Sequence, residues 1–110
     1  MKKAIEHNYK AGDIFRRTFG YNMTINDFYQ VIETTKKTVT LHRIGKKWVG
    51  GEVGFTGNVS PVKNDFQPDS NFRSAILKRK PVREGGHVVA GDDYLYPTTE
   101  EATHYENHLD

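Results

Sequence analysis

Residues 28–44 restrict the fold more than any other part of the chain, because they hold two strand-like runs joined by a short polar connection. The runs 28–34 and 38–44 are rich in aromatic and β-branched residues, and apolar and polar positions alternate along them. Three polar residues separate the runs, a length that suits a hairpin turn. The sequence therefore predicts an antiparallel β-hairpin.

Shorter strand-like runs flank this hairpin and predict a mostly β domain. Turn-forming residues separate them at intervals of about eight to twelve residues, which is typical of small barrels and sandwiches. The candidates are 14–19, a glycine-interrupted stretch after Trp48 (a broken or bulged strand, or a loop), 59–62, 72–80 (strand or short helix), 87–90 and 94–96. Since 110 residues can bury one modest core, we expect a single small SH3-like barrel or a strongly bent antiparallel sheet.

The two ends of the chain differ from this body. Residues 1–11 are a polar leader, and residues 12–97 hold the predicted β domain. Two threonines followed by two glutamates, at 98–101, are typical of a helix N-cap with acids in the first turn, where the helix dipole favours negative charge. Residues 98–110 are therefore predicted to be an acidic C-terminal tail or a short helix.

Composition and local motifs argue against catalytic and metal chemistry. The absence of cysteine removes disulfides, thiolate catalysis and cysteine-based zinc sites, and no apolar run approaches the length of a membrane helix. The serines lack a nucleophile-elbow context, and the adjacent acids at 92–93 and 100–101 point apart. His104 and His108 have zinc-like spacing on a helix but no evident third ligand. We expect a domain that is not an enzyme and needs no cofactor or metal.

The charges are divided unevenly along the chain. Residues 1–83 hold all 16 Lys and Arg with seven acids, a net charge of +9, whereas residues 84–110 hold seven acids and neither Lys nor Arg. A basic body with an acidic tail is typical of nucleic-acid proteins, in which the tail competes with phosphate for the same cations. The alternative is a tail that folds back and neutralises the body, leaving no charged ligand.

Residues 12–90 resemble a family of small uncharacterised proteins of bacteriophages and other mobile elements. The shared pattern is a GD-aliphatic-aromatic start, a GY…YQV strand, K-(T/S)-V and a PVKD-like segment. It falls on Gly12, Asp13, Ile14, Phe15, Gly20, Tyr21, Asn26, Asp27, Phe28, Tyr29, Gln30, Val31, Lys37, Thr38, Val39, Pro61, Val62, Lys63 and Asn64, the last replacing the acid. The resemblance implies a phage origin and a place in the bacterial cytoplasm, and it transfers no activity.

Basic residues near strand ends and turns make nucleic acid, or a host protein that handles nucleic acid, the expected partner. Contact would be through a basic face that the acidic tail modulates. Cations interleaved with aromatic rings suit binding to a nucleic-acid backbone or to single strands. The candidates are Arg16, Arg17, Lys36, Lys37, Arg43, Lys46, Lys47, Trp48, Lys78, Arg79, Lys80 and Arg83. A barrel this small also needs most of its aromatics in the core, and lysine pairs in turns also serve solubility.

The alternative function is a protein-binding inhibitor or modulator of a host or defence component, of the anti-CRISPR type. Acids and tyrosines of the C-terminal region would then meet a basic partner surface, since tyrosine is enriched in interface cores. The candidates are Asp92, Asp93, Tyr94, Tyr96, Glu100 and Glu101. Membrane association is not expected under either hypothesis.

Overall fold

Strands make up most of the computed structural model, which describes residues 4–19, 24–52, 56–69, 74–91 and 93–107. The described residues form no helix, so none of them belongs to a helix that could cross a membrane. The strands are β1 (Ile14–Phe19), β2 (Ile25–Thr34), β3 (Thr38–Glu52), β4 (Thr56–Phe66), β5 (Ile76–Pro81), β6 (Val88–Ala90), β7 (Asp93–Thr98) and β8 (His104–Asn107). The prediction of a mostly β chain is confirmed.

The strands form one antiparallel sheet in the order β6-β7-β1-β2-β3-β4-β8, with β5 also paired to β3. The predicted hairpin is β2–β3, with Val31 opposite Leu41 and Phe28 opposite Ile44. The long strand β3 pairs with β2 along one edge and with both β5 and β4 along the other. The bulge expected after Trp48 is present as a register shift between Trp48 and Gly50.

Both faces of the sheet are buried around β2, although the sequence suggested a single core. Because neighbouring strand residues point to opposite faces, Phe28 and Tyr29 enter different clusters. The larger cluster comprises Phe15, Tyr29, Val31, Val39, Leu41, Val82, Val88, Ala90 and Leu95. The smaller comprises Ile14, Phe28, Ile44 and Val59, with Trp48 packed against it.

The C-terminal segment forms a strand where the capping pattern favoured a short helix. Residues 100 and 101 lie in a turn, and β8 then pairs with β4, placing His104 opposite Val59. A helix this short is marginal on its own, whereas the strand gains ladder hydrogen bonds and buries Glu106. Within the predicted acidic tail, His104–Asn107 therefore belongs to the sheet.

The sheet bends but does not close. Isolated bridges join Val82 to Val88 and Thr24 to Asn107, bringing β5 near β6 and β2 near β8. Each is a single bridge and not a ladder. The fold shown is thus one antiparallel sheet without the continuous closure of a barrel.

Candidate nucleic-acid interface

Five cations meet where the β2–β3 turn lies beside β5. This basic cluster consists of Lys36, Lys37, Lys78, Arg79 and Lys80. The amide of Val82 donates to the carbonyl oxygen of Lys37 at 3.0 Å, and Lys80 lies opposite Val39. The turn is tightened by Thr35, whose hydroxyl accepts a hydrogen bond from the Thr38 amide at 3.1 Å. Residues more than 40 positions apart in sequence thereby share one end of the sheet.

A β-bulge presents two consecutive cations of β5 to solvent. Val39 lies opposite Lys80 and Leu41 lies opposite Leu77. Two residue steps on β3 therefore face three on β5, which means that β5 contains one extra, bulged residue. Arg79 occupies the left-handed region, with φ of 47°. Lys78 and Arg79 are both exposed, although successive residues of a regular strand point to opposite faces.

Thr40 supports this bulge from β3. Its hydroxyl accepts a hydrogen bond from the Arg79 amide at 3.0 Å, and the residue is only 7% exposed. The bond satisfies an amide that the bulge removes from the ladder. Sequence analysis did not select Thr40, because position 79 holds neither Gly nor Asn to signal a left-handed residue.

The basic cluster is weakly neutralised. Lys37, Lys78 and Arg79 are exposed and Lys80 is half-buried, and none of these four forms an ion pair with another described residue. Lys36 pairs with Glu6 at 3.0 Å, but the side chains are 76% and 63% exposed. An ion pair so open to water holds its cation only loosely, so the charge stays accessible to a polyanion.

Three other candidate cations bind groups of the C-terminal region. Arg17 forms an ion pair with Asp93, and Lys46 donates to the buried carboxylate of Glu106 at 2.8 Å. Arg16 bonds to the imidazole of His104 at 2.9 Å. In this part of the sheet, acids of the C-terminal region therefore neutralise cations of the basic body, as the alternative interpretation of the charge division predicts.

His104 is held as a neutral ring. Its Nδ1 accepts from the guanidinium of Arg16, so its Nε2 carries the proton and donates to the Thr98 hydroxyl at 2.8 Å. Burial, and secondarily the charge of Arg16, lower the pKa of His104. Both ring nitrogens are thus engaged within the sheet. His108 lies outside the described residues, and among the described ones no group of three potential ligands surrounds a metal position.

The remaining candidates for nucleic-acid contact are dispersed. Arg43 donates to the carbonyl oxygen of Pro68 at 2.8 Å, and Trp48 packs on the smaller core cluster. Lys47 is exposed in the middle of β3, nine positions beyond Thr38, where that strand pairs with β4. Arg83 is half-buried beside the turn that leads into β6.

The acidic and tyrosine candidates separate into two groups. Asp93 is engaged by Arg17, whereas Glu100 and Glu101 are exposed in the turn between β7 and β8. Tyr94 and Tyr96 are each 51% exposed on β7. Asp92 lies outside the described residues.

No protein-family model, curated protein or solved structure matches the chain significantly. The site is therefore judged on its own chemistry. Cations gathered on a rigid sheet can bind phosphate oxygens through charge and hydrogen bonds without reading base edges.

Proposed function

We propose that this protein is a non-enzymatic binding protein that contacts the nucleic-acid backbone through the basic cluster. The proposal rests on cations that two separate segments bring to one exposed end of the sheet. Phosphate contacts of this kind give affinity with little sequence preference and a strong dependence on salt. The expected ligand is thus a polyanionic strand and not a particular base sequence.

The backbone at Arg79 is the observation that carries the proposal. A left-handed conformation costs roughly 1–2 kcal/mol for a residue with a Cβ atom, and glycine is the usual occupant. Arginine nevertheless stands there with φ of 47°, exposed to solvent. Backbone strain that brings no packing advantage is characteristic of functional positions. We infer that Arg79 is maintained for its charge.

Single-charge variants test the cluster. Lys78→Gln and Arg79→Gln should weaken binding of a labelled oligonucleotide in fluorescence anisotropy, and each should flatten the plot of log affinity against log salt by about 0.7–0.9. Lys47→Gln is the matched control, since it removes one exposed cation from β3, outside the basic cluster. Equal effects of all three variants would contradict a localised interface.

Arg79→Gly separates stability from binding. Glycine relieves the left-handed strain of roughly 1–2 kcal/mol but loses roughly 0.5–1 kcal/mol through chain entropy, so the variant should be more stable by up to about 1.5 kcal/mol. It should nevertheless bind oligonucleotides more weakly. A variant that is stabilised and binds as tightly as the wild type would refute the functional role of Arg79.

The alternative of an acidic protein-docking surface has narrower support. The carboxylate of Asp93 is paired with Arg17 and that of Glu106 is buried, which leaves only Glu100 and Glu101, in the turn after β7, together with the two exposed tyrosines of β7. Because Asp93 and Glu106 hold the sheet together, we assign them a structural role and not competition with phosphate at the basic cluster.

The family resemblance supports a bacteriophage origin and a site of action in the bacterial cytoplasm, both of which we include in the proposal. We also propose that the bent sheet corresponds to an SH3-like barrel. The two isolated bridges support this, since each brings together strands that a closed barrel would pair.

A further inference from the structure

Three aromatic rings form a platform, two of them on β7 and the third on His87, the residue before β6. The ring of His87 packs against Tyr94 with centroids 5.2 Å apart and against Tyr96 with centroids 5.8 Å apart. Both tyrosines are 51% exposed, while Leu95 between them is fully buried. The alternation of β7 therefore directs both rings to the outer face, and His87 holds them in position.

The platform continues directly from β5. The bridge between Val82 and Val88 joins the end of β5 to β6, and the Arg83 amide donates to the carbonyl oxygen of His87 at 2.9 Å. Opposed residues of an antiparallel pair share a face, so Arg83 and His87 do. Adjacent strands lie roughly 4.8 Å apart, which places Tyr96 within about 10 Å of the Arg83 backbone.

Cations and rings thus occupy neighbouring strands of one surface. Lys78 and Arg79 lie on β5, Arg83 follows them, and the platform lies across β6 and β7. The nearest carboxylate on β7, that of Asp93, is compensated by Arg17. A row of cations beside exposed aromatic rings is complementary to a chain that carries both phosphates and unpaired bases.

We propose that the ligand is single-stranded nucleic acid, whose bases stack on Tyr94 and Tyr96 while its phosphates lie along β5. This inference rests on the proposed function and specifies the strand state. Stacking requires bases that are not already paired, and every base has a π-face. The platform should therefore distinguish single strands from duplexes with little sequence preference.

Tyrosine variants test the platform. Tyr94→Thr and Tyr96→Thr keep a β-branched residue in the strand but remove the ring. Each should weaken binding of a labelled oligothymidylate of about 12 nucleotides by about fivefold or more and leave binding of a duplex of the same length unchanged. Tyr94→Phe and Tyr96→Phe retain the ring and should bind like the wild type. Oligouridylate in a parallel titration tells whether DNA or RNA is preferred.

Tyr105→Thr is the matched control, because Tyr105 is 54% exposed on β8, which pairs with β4. If the tyrosine variants bind single strands normally and Lys78→Gln and Arg79→Gln do not, the role of the platform is refuted and that of the basic cluster is supported. Normal binding by all of these variants would overturn both proposals. Tyrosine-dependent capture of a polylysine peptide, without single-strand binding, would assign the surface to a basic protein partner instead.

Discussion

Replacing Lys46 with Met removes the cation beside a fully buried carboxylate. Glu106 is 0% exposed and accepts hydrogen bonds from the Lys46 ammonium at 2.8 Å and from the Asn26 amide at 3.0 Å. The ammonium also donates to the carbonyl oxygen of Asn26 at 2.8 Å. Because the variant leaves the Glu106 charge buried without its cation, we expect a loss of about 3–5 kcal/mol in the free energy of unfolding.

A second substitution should recover part of that loss. Glu106→Gln alone leaves Lys46 with a side chain 27% exposed and able to reach water, and it should cost about 1.5–3 kcal/mol for the charge-assisted hydrogen bonds. The combined variant has no buried charge at this place and should be more stable than Lys46→Met alone. The interaction energy from the cycle of four proteins should therefore exceed the loss for Glu106→Gln alone and be at least about 1.5 kcal/mol.

Urea denaturation measures these differences, as changes in the midpoint at constant slope. The loss expected for Lys46→Met corresponds to a drop in melting temperature of roughly 12–20 °C at about 4 °C per kcal/mol. A Lys46→Met protein within about 1 kcal/mol of the wild type would refute the reasoning, since the carboxylate would then be reaching water. So would a combined variant less stable than Lys46→Met alone.

Two further predictions concern His104 and Thr40. Burial and Arg16 lower the pKa of His104, so its stabilising contribution is present above the unfolded-chain value of about 6.5 and is lost as the pH falls through the lowered folded value. The urea midpoint should decline with falling pH more steeply for the wild type than for His104→Gln, and parallel curves would contradict this. Thr40→Val removes the acceptor of the Arg79 amide and should cost about 1–3 kcal/mol. Thr40→Ser retains the hydroxyl and should lose less in the same denaturation assay; a Thr40→Val protein as stable as the wild type would contradict the role of the hydroxyl.

Local sequence signals were sufficient for the central hairpin. Alternation in residues 28–34 and 38–44 and the short polar connection depend only on neighbours in the chain, and the pairing of Val31 with Leu41 agrees with them. Alternation did not reveal that both faces of β2 are buried. That property depends on β4 and on the strands from β5 to β7, which lie far away in sequence.

The C-terminal strand could not be predicted from its own residues. The capping pattern at 98–101 favours a helix locally, but pairing of β8 with β4 and burial of Glu106 against Lys46 prevail. These partners are distant in sequence, and Lys46 lies 60 residues from Glu106. Local propensity is a weak guide where tertiary contacts decide.

The charge division was visible in the sequence, but its meaning depended on geometry. The same basic stretch supplies Arg17 and Lys46, which bind C-terminal acids, and Lys78 and Arg79, which do not. Counting charges cannot separate these roles. The two roles differ because the folded sheet brings the Arg17 and Lys46 side chains to acids of β7 and β8.

The two core clusters on opposite faces of β2 and β3 divide the molecule into cooperative units of unequal size. The smaller cluster, with Ile14, Phe28, Ile44 and Val59, contains less apolar surface than the cluster beneath β5 and β7. We expect β4 and β8 to open as one foldon at lower free energy than the rest. The basic cluster and the aromatic platform belong to the other foldon, so we expect the proposed binding surface to persist through such openings.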